Sequence, residues 1–345
     1  MAVGPTRDRR SNPRTFGEAG QALAELDTGQ GRRRAVAGAL ALAASAMTAG
    51  PTAVAAGDPL DRSGLAPAYA EEFAAPADPV AFLKAYPDLR TNYYFGHTQR
   101  SGPLSAQFTS RTYPGIRNVM VDALYCPGAR SPRVEGGHLV LEAHRLEEPL
   151  RATCGNGQRD FASAMVSTQK HFAQVYGYYE IRARLPAQSG TWPAFWLLPT
   201  AKTPQNRGRL AEIDVFEHYG GTRTVLSGGT KPVVIDRIGR PFSTVHYLEN
   251  GVEKRATNAQ AQSQPPAPRL DLRQFHTFGV LWTSEEFVFY IDERETFRTP
   301  NVGVDDPHYI VVNLDVSPNG GDVADDLRAV LEVDWIRAWR LKETK

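Results

Sequence analysis

From Tyr69 onward, apolar and polar positions alternate with a period of two, and turn residues break the alternation every ten residues or so. Gly177-Tyr178-Tyr179-Glu180-Ile181-Arg182-Ala183-Arg184 carries the pattern plainly. His138-Leu139-Val140-Leu141-Glu142-Ala143 follows a Gly-Gly pair, and Phe278-Gly279-Val280-Leu281-Trp282 and Phe287-Val288-Phe289-Tyr290-Ile291-Asp292 extend the series. Tyr309-Ile310-Val311-Val312-Asn313 and Leu331-Glu332-Val333-Asp334-Trp335-Ile336-Arg337 complete it. Segments rich in β-branched and aromatic residues, bounded by Gly, Pro and Asp, predict strands; so many in succession predict an all-β sandwich or barrel. Beyond residue 56 no long stretch keeps an apolar period of 3.6, and only a short turn of helix is expected, over residues 79–86. Residues 256–268, rich in Gln, Ala and Pro, read as a loop or insertion. Residues 220–241 mix Gly with short apolar runs and have no secure assignment. There is no internal repeat. The expected organisation is an N-terminal extension with an export signal (1–56), a linker (57–68) and one β domain (69–345).

Composition narrows the function classes. The 345 residues are 41% hydrophobic, enough for one large core, and the net charge is +1. Seven Arg and four acidic residues fall within positions 1–56, leaving a net of −2 over the remainder. A nearly neutral domain has no electrostatic footprint for nucleic acid and suits an uncharged polymer. Arg32-Arg33-Arg34, an Ala-rich apolar run over 35–49 and the small residues Ala53-Val54-Ala55-Ala56 have the form of a removable export signal. The apolar run is too short to span a bilayer, and the Arg run partly matches a twin-arginine signal. Export, to the periplasm or the medium, is therefore expected. Cys126 and Cys154 lie in the exported part, where a disulfide can form, although two cysteines alone do not fix a bridge.

The densest chemistry is in Glu212-Ile213-Asp214-Val215-Phe216-Glu217. Strand alternation sets Glu212 and Asp214 on one face and Ile213 and Val215 on the other. Strict alternation would put Phe216 beside the acids; a β-bulge near Val215-Phe216 would bring Glu217 there instead, and bulges often adjoin active sites. Three carboxyls so close cannot all ionise at neutral pH without large cost, so at least one keeps its proton. A retaining glycosidase needs that condition: one carboxylate attacks the sugar and a neighbouring acid protonates the leaving oxygen. Two other arrangements carry the same residues, a solvated acidic edge strand and a metal site with His218. Regular Ile, Val and Phe on the opposite side speak against the edge strand.

Glu-x-Asp-x-x-Glu, preceded by Gly190-Thr191-Trp192-Pro193-Ala194-Phe195-Trp196-Leu197-Leu198-Pro199, resembles glycoside hydrolase family 16, which includes laminarinases, lichenases, agarases, κ-carrageenases and exopolysaccharide depolymerases. The resemblance runs from about Tyr69 to Trp339 and takes in Glu71-Glu72-Phe73, the Phe275-to-Trp282 run and Val333-Asp334-Trp335-Ile336-Arg337. It implies a β-jelly-roll of two curved antiparallel sheets with an open cleft, and hydrolysis with retention. It also implies Glu212 as nucleophile, Glu217 as acid/base and Asp214 as the carboxylate that tunes the pair. The spacing matches the bulged subgroup of the family.

Trp192 and Trp196, four apart, share one side of a strand; such a pair is a core feature in many proteins, and the resemblance makes it a sugar-stacking surface. The resemblance further implies substrate contacts for Arg182 and His246, and a structural calcium bound by the Gly137 carbonyl and Asp334. By alternation alone Arg182 is equally a solvated side chain, and an isolated histidine such as His246 is more often structural. The family's Asn-Asn-Glu run has little counterpart in Asn118-Val119-Met120-Val121-Asp122-Ala123-Leu124-Tyr125, and the segment after Glu217 is longer than usual, so the substrate does not carry over. The expectation is a monomeric, endo-acting retaining β-glycanase on a β-1,3- or mixed-linked glucan or a bacterial exopolysaccharide, with no cofactor required. The rivals are a non-catalytic carbohydrate-binding protein on the same fold and a transglycosylase.

Overall fold

The computed structural model describes residues 58–91, 116–123, 126–154, 159–200, 211–227, 231–249, 252–259 and 269–342. The expected export signal lies outside them. The described strands form a ten-stranded sheet, a six-stranded sheet and a separate hairpin of Thr222–Ser227 with Lys231–Asp236. Across the six-stranded sheet the order is Val252–Thr257, Phe242–Glu249, Glu212–Glu217, Thr191–Pro199, His308–Val316 and Met165–Ser167, all antiparallel. The ten-stranded sheet is antiparallel except where Asn118–Met120 runs parallel to Phe161–Ser163. Its centre is the 14-residue strand Arg328–Leu341. One edge of that strand pairs with Gly177–Arg184, and the other pairs first with His138–Arg145 and then with Leu65–Glu71.

The core lies between the two sheets and is filled by alternate residues of each. Tyr179, Ile181, Ala183, Leu139, Leu141, Phe278 and Val280 come from the large sheet; Phe195, Leu197, Ile213, Phe216, Ile310, Val312 and Leu314 come from the small one. Full burial of one such side chain contributes about 1.5–3 kcal/mol relative to exposure. This two-layer arrangement is the β-jelly-roll expected from the sequence.

Three boundaries differ from expectation. Leu65 to Ala68 belong to the first strand rather than to a linker, because Leu65 and Ala66 pair with Leu341 and Arg340. The expected loop begins later, since Ala256 and Thr257 still pair with Val245 and Thr244; residues 260–268 lie outside the described set. Residues 220–241, unassigned from sequence, supply the hairpin. The short helix Phe82–Ala85 lies where a turn of helix was expected, and a second, Leu150–Thr153, was not foreseen. Cys126 and Cys154 form a disulfide across 28 residues, inside a satellite core with Val119, Val121, Leu146 and Ala162.

Candidate active site

The strand Glu212–Glu217 is bulged. Against Thr191–Pro199, Phe216 faces Phe195 but Asp214 faces Trp196, so Val215 is an extra residue; the register with Phe242–Glu249 shifts at the same place. Val215 and Phe216 therefore both point into the core, at 3% and 1% exposure, and Glu217 emerges on the same outer face as Glu212 and Asp214. The Phe216 ring meets Phe278 of the opposite sheet at 4.5 Å between centroids, which anchors the core side of the bulge.

On that outer face the register sets out rows. Phe242, Glu217, Ala194, Asn313 and Met165 face one another across five strands. In the next row Thr244, Asp214, Trp196, Val311 and Ser167 do the same. Trp192 lies opposite Asp315, and His246 opposite Glu212. The small Ala194 thus floors a gap between Glu217 and Asn313, with a Trp two residues to either side.

Both indoles are fixed by hydrogen bonds. Trp192 Nε1 donates to Glu217 Oε1 at 2.8 Å, and Trp196 Nε1 donates to Asn313 Oδ1 at 2.7 Å. Both rings are half-buried on the outer face rather than part of the main core. Tyr219 bridges Trp192 and Phe242 with centroid distances of 5.4 and 5.2 Å, and Arg237 lies over the Phe242 ring. A wall of aromatic rings therefore closes one side of Glu217.

The electrostatics follow from this enclosure. Burial raises the Glu217 carboxyl to about 8, and the neighbouring Asp214 pushes it the same way; the Trp192 bond, His246 and Arg237 oppose the rise. Burial also raises Asp214, which is only 3% exposed. Asp214 Oδ2 has no hydrogen-bond partner, and His246 Nε2 lies 3.4 Å from it. Acids that keep a proton at neutral pH can deliver it to a leaving oxygen.

His246, not His218, is thus the histidine beside the acids. His218 is fully buried, its Nε2 accepts from the Gly239 N–H, and burial pulls its pKa down to about 4, so it is not available as a ligand. Glu212, Asp214 and His246 do offer ligand atoms within 4.8 Å of one another.

Arg182 does not join this face. It projects from the outer side of the ten-stranded sheet, pairs with Asp334 and lies over Phe275 at 4.9 Å. Alternation had given its side of the strand correctly but not the sheet to which the strand belongs. The same pair bears on the proposed calcium. The Asp334 carboxylate is held by the Arg182 guanidinium, with His138 Nε2 at 3.6 Å, so side chains occupy the place where a metal would need free oxygens. Asp334 and Gly137 therefore do not fit a calcium site.

Sequence reasoning missed a polar network on the acidic face. Asn313 Nδ2 donates to Asp315 Oδ2 at 3.0 Å, Asn118 Nδ2 donates to Asp315 Oδ1 at 3.1 Å, and Asn118 Oδ1 accepts from the Val316 N–H. Burial raises Asp315 to about 7 against the lowering effect of Asn118, Arg159 and Asn313. The alternation Val312-Asn313-Leu314-Asp315-Val316 was the available signal.

A family model described as "Beta-porphyranase A-D, GH16 domain" matches residues 127–341. Endo-1,3-1,4-beta-glycanase ExsH of Rhizobium meliloti (strain 1021) is 35% identical over 213 residues, covering 60% of this chain and 39% of that protein. The chain thus spans about two fifths of the length of that relative, and likewise of EglC from the same organism. A beta-glucanase of Rhodothermus marinus is 31% identical over 61% of this chain and 71% of its own length. Among solved structures, SCLam, described as a non-specific endo-beta-1,3(4)-glucanase from family GH16, superposes with a TM-score of 0.59 at 21% identity. That match covers 83% of this chain and 96% of SCLam. The laminarinase from Rhodothermus marinus gives 0.54 at 22% identity, over 81% and 98%. At these identities the solved structures speak for the jelly-roll fold.

Proposed function

The chain belongs to glycoside hydrolase family 16, and from that membership we propose that it is an exported, endo-acting retaining β-glycanase with Glu212 as nucleophile and Glu217 as acid/base. The observation that carries the reading is the enclosure of Glu217, bonded to the Trp192 indole on the strand face it shares with Glu212. Its carboxyl is raised to about 8 on the same strand face as Glu212, so near neutrality it holds a proton for the leaving group. In the first step a Glu212 oxygen bonds to the anomeric carbon, the glycosidic C–O bond breaks, and the Glu217 proton goes to the departing oxygen. In the second, Glu217, now a carboxylate, takes a proton from water; the water oxygen bonds to the anomeric carbon and Glu212 leaves. Asp214, buried between them with its pKa raised by that burial, tunes the charge on the pair. Trp192 orients Glu217 and offers a ring to a sugar face. All of this is acid/base and covalent chemistry, for which the side chains present suffice.

The substrate proposed is a β-1,3- or mixed-linked glucan or a related exopolysaccharide, in keeping with the activities for which the relatives are named. Incubation with a panel of β-glucans, galactans and exopolysaccharides, followed by product sizing and by NMR of the first-formed anomer, tests it. Mid-length products with the β anomer formed first are expected. An α anomer formed first would overturn the retaining assignment, and release of single sugars only would overturn the endo action.

A further inference from the structure

The polar network beside the acids has no part in the two catalytic steps, yet it ends on the same sheet face. We propose that Asp315 reads a hydroxyl of an uncharged sugar lying beside the Trp192 ring, and rejects an anionic substituent at that place. The inference rests on the glycanase reading of this face and adds the class of sugar it admits.

Asp315 and Trp192 are direct partners across two strands, so their side chains emerge side by side. Asp315 is partly exposed there, whereas Asn313, one step along the same strand face, is only 4% exposed. The carboxyl cannot swing. Asn118 holds Oδ1 and Asn313 holds Oδ2; Asn313 is itself oriented by the Trp196 indole, and Asn118 by the Val316 N–H. A carboxylate has about four acceptor sites, and these two amides use two. What remains toward the exposed side is an oriented acceptor, the complement of a sugar hydroxyl. A sulfate, carboxylate or acyl-acid substituent would bring its own oxygens against those of Asp315. Arg159, a cation that acts on Asp315, directs its guanidinium to the Ile116 carbonyl. The two strand spacings between Glu217 and Asp315, about 10 Å across the sheet, put this contact away from the bond being cut. Asp315 should therefore govern binding and choice of substrate, not the rate of the chemical step.

The test compares the full chain with its Asp315→Asn and Asp315→Ala variants on a neutral mixed-linked β-glucan and on the same glucan chemically sulfated. Asp315→Asn should raise KM on the neutral polymer ~10-fold, the scale of one hydrogen bond, with kcat within about twofold. Assayed above pH 7, where the Asp315 carboxyl is ionised, the preference for neutral over sulfated polymer should fall by about tenfold or more, as removal of a like charge predicts. Asp315→Ala should lose the same preference with a larger KM. A thermal midpoint shared by Asp315→Asn and the parent would exclude a merely structural loss. Unchanged KM and unchanged preference, or a loss confined to kcat, would overturn the proposal. If the parent cuts neither polymer, the mixed-linked glucan is not its substrate, while retardation in gels containing each polymer still tests Asp315. A neutral-polymer preference abolished by Asp315→Asn supports the proposal, and equal retardation of parent and variant sinks it.

Discussion

Trp192 and Glu217 are joined by an indole N–H donated to a carboxyl oxygen at 2.8 Å, and this single bond lowers the Glu217 pKa against the combined push of burial and Asp214. A neutral donor favours the charged form of an acceptor, so the bond helps Glu217 act as a base after it has acted as an acid.

Trp192→Phe keeps a ring but deletes the donor. The Glu217 pKa should rise, and the alkaline limb of the kcat/KM profile should move to higher pH. kcat should fall about tenfold, since the base of the second step becomes harder to form. A pH–rate profile that does not move would show that the bond has no influence on the acid.

The three acids should separate by their kinetics. Glu212→Gln should lose at least ~10³-fold in kcat, as expected when a covalent step is blocked. Glu217→Ala should be almost as slow on polymer, yet retain the first step on an activated aryl glycoside and regain turnover with azide, giving a β-azide product. Glu212→Ala should give the α-azide. Asp214→Asn should be milder, ~10²-fold. Full activity of Glu217→Ala on polymer would remove it from the role of acid.

Buried acids also set a pH dependence of stability. Glu217 binds a proton more tightly when folded, about 8 against an ordinary 4.5, and Asp214 shifts in the same direction. Their share of stability is therefore complete below about pH 4.5 and is lost as pH rises toward 8, where the folded form must ionise a buried group. Thermal melts at pH 5 and pH 9 should show this decline in the parent. Glu217→Gln should flatten it, with a midpoint at pH 9 above that of the parent. An equal decline in both would locate the cause elsewhere.

The bulge depends on its core side. Phe216→Ala should cost about 3–5 kcal/mol, as for other buried Phe truncations. It should also reduce kcat in the fraction that remains folded, because the ring contact with Phe278 no longer holds Glu217 toward the outer face. Phe216→Leu should restore most of the stability and part of the rate. Denaturant unfolding and kcat measured on the same preparations decide this.

The strands were legible in the sequence because alternation is a local property, read over a few residues. The bulge was legible for the same reason: Glu217 breaks the period by one, and only an inserted residue brings it back beside Asp214. Arg182 shows where local reading stops. Its flanking Ile181 and Ala183 do point inward, but the sheet that a strand joins depends on partners such as Trp335, far along the chain. Asp315 was missed likewise. Its Asn118 partner is 197 residues away, and no spacing rule connects them. The Asp334 carboxylate was read as a metal ligand because its occupant, Arg182, is 152 residues distant.

The strand Arg328–Leu341 forms the middle of the large sheet and pairs with three others, although it comes last in sequence among the described strands. The ribosome therefore delivers the centre of the sheet after its flanks. Until that segment emerges, Gly177–Arg184, His138–Arg145 and Leu65–Glu71 each lack a neighbour, and the core between the layers cannot close. Closure of the large sheet must therefore wait until this strand has been made. The same order makes this fourteen-residue strand a quality checkpoint: a message truncated within it would yield a chain with all three acids on the six-stranded sheet and no completed large sheet to pack against it.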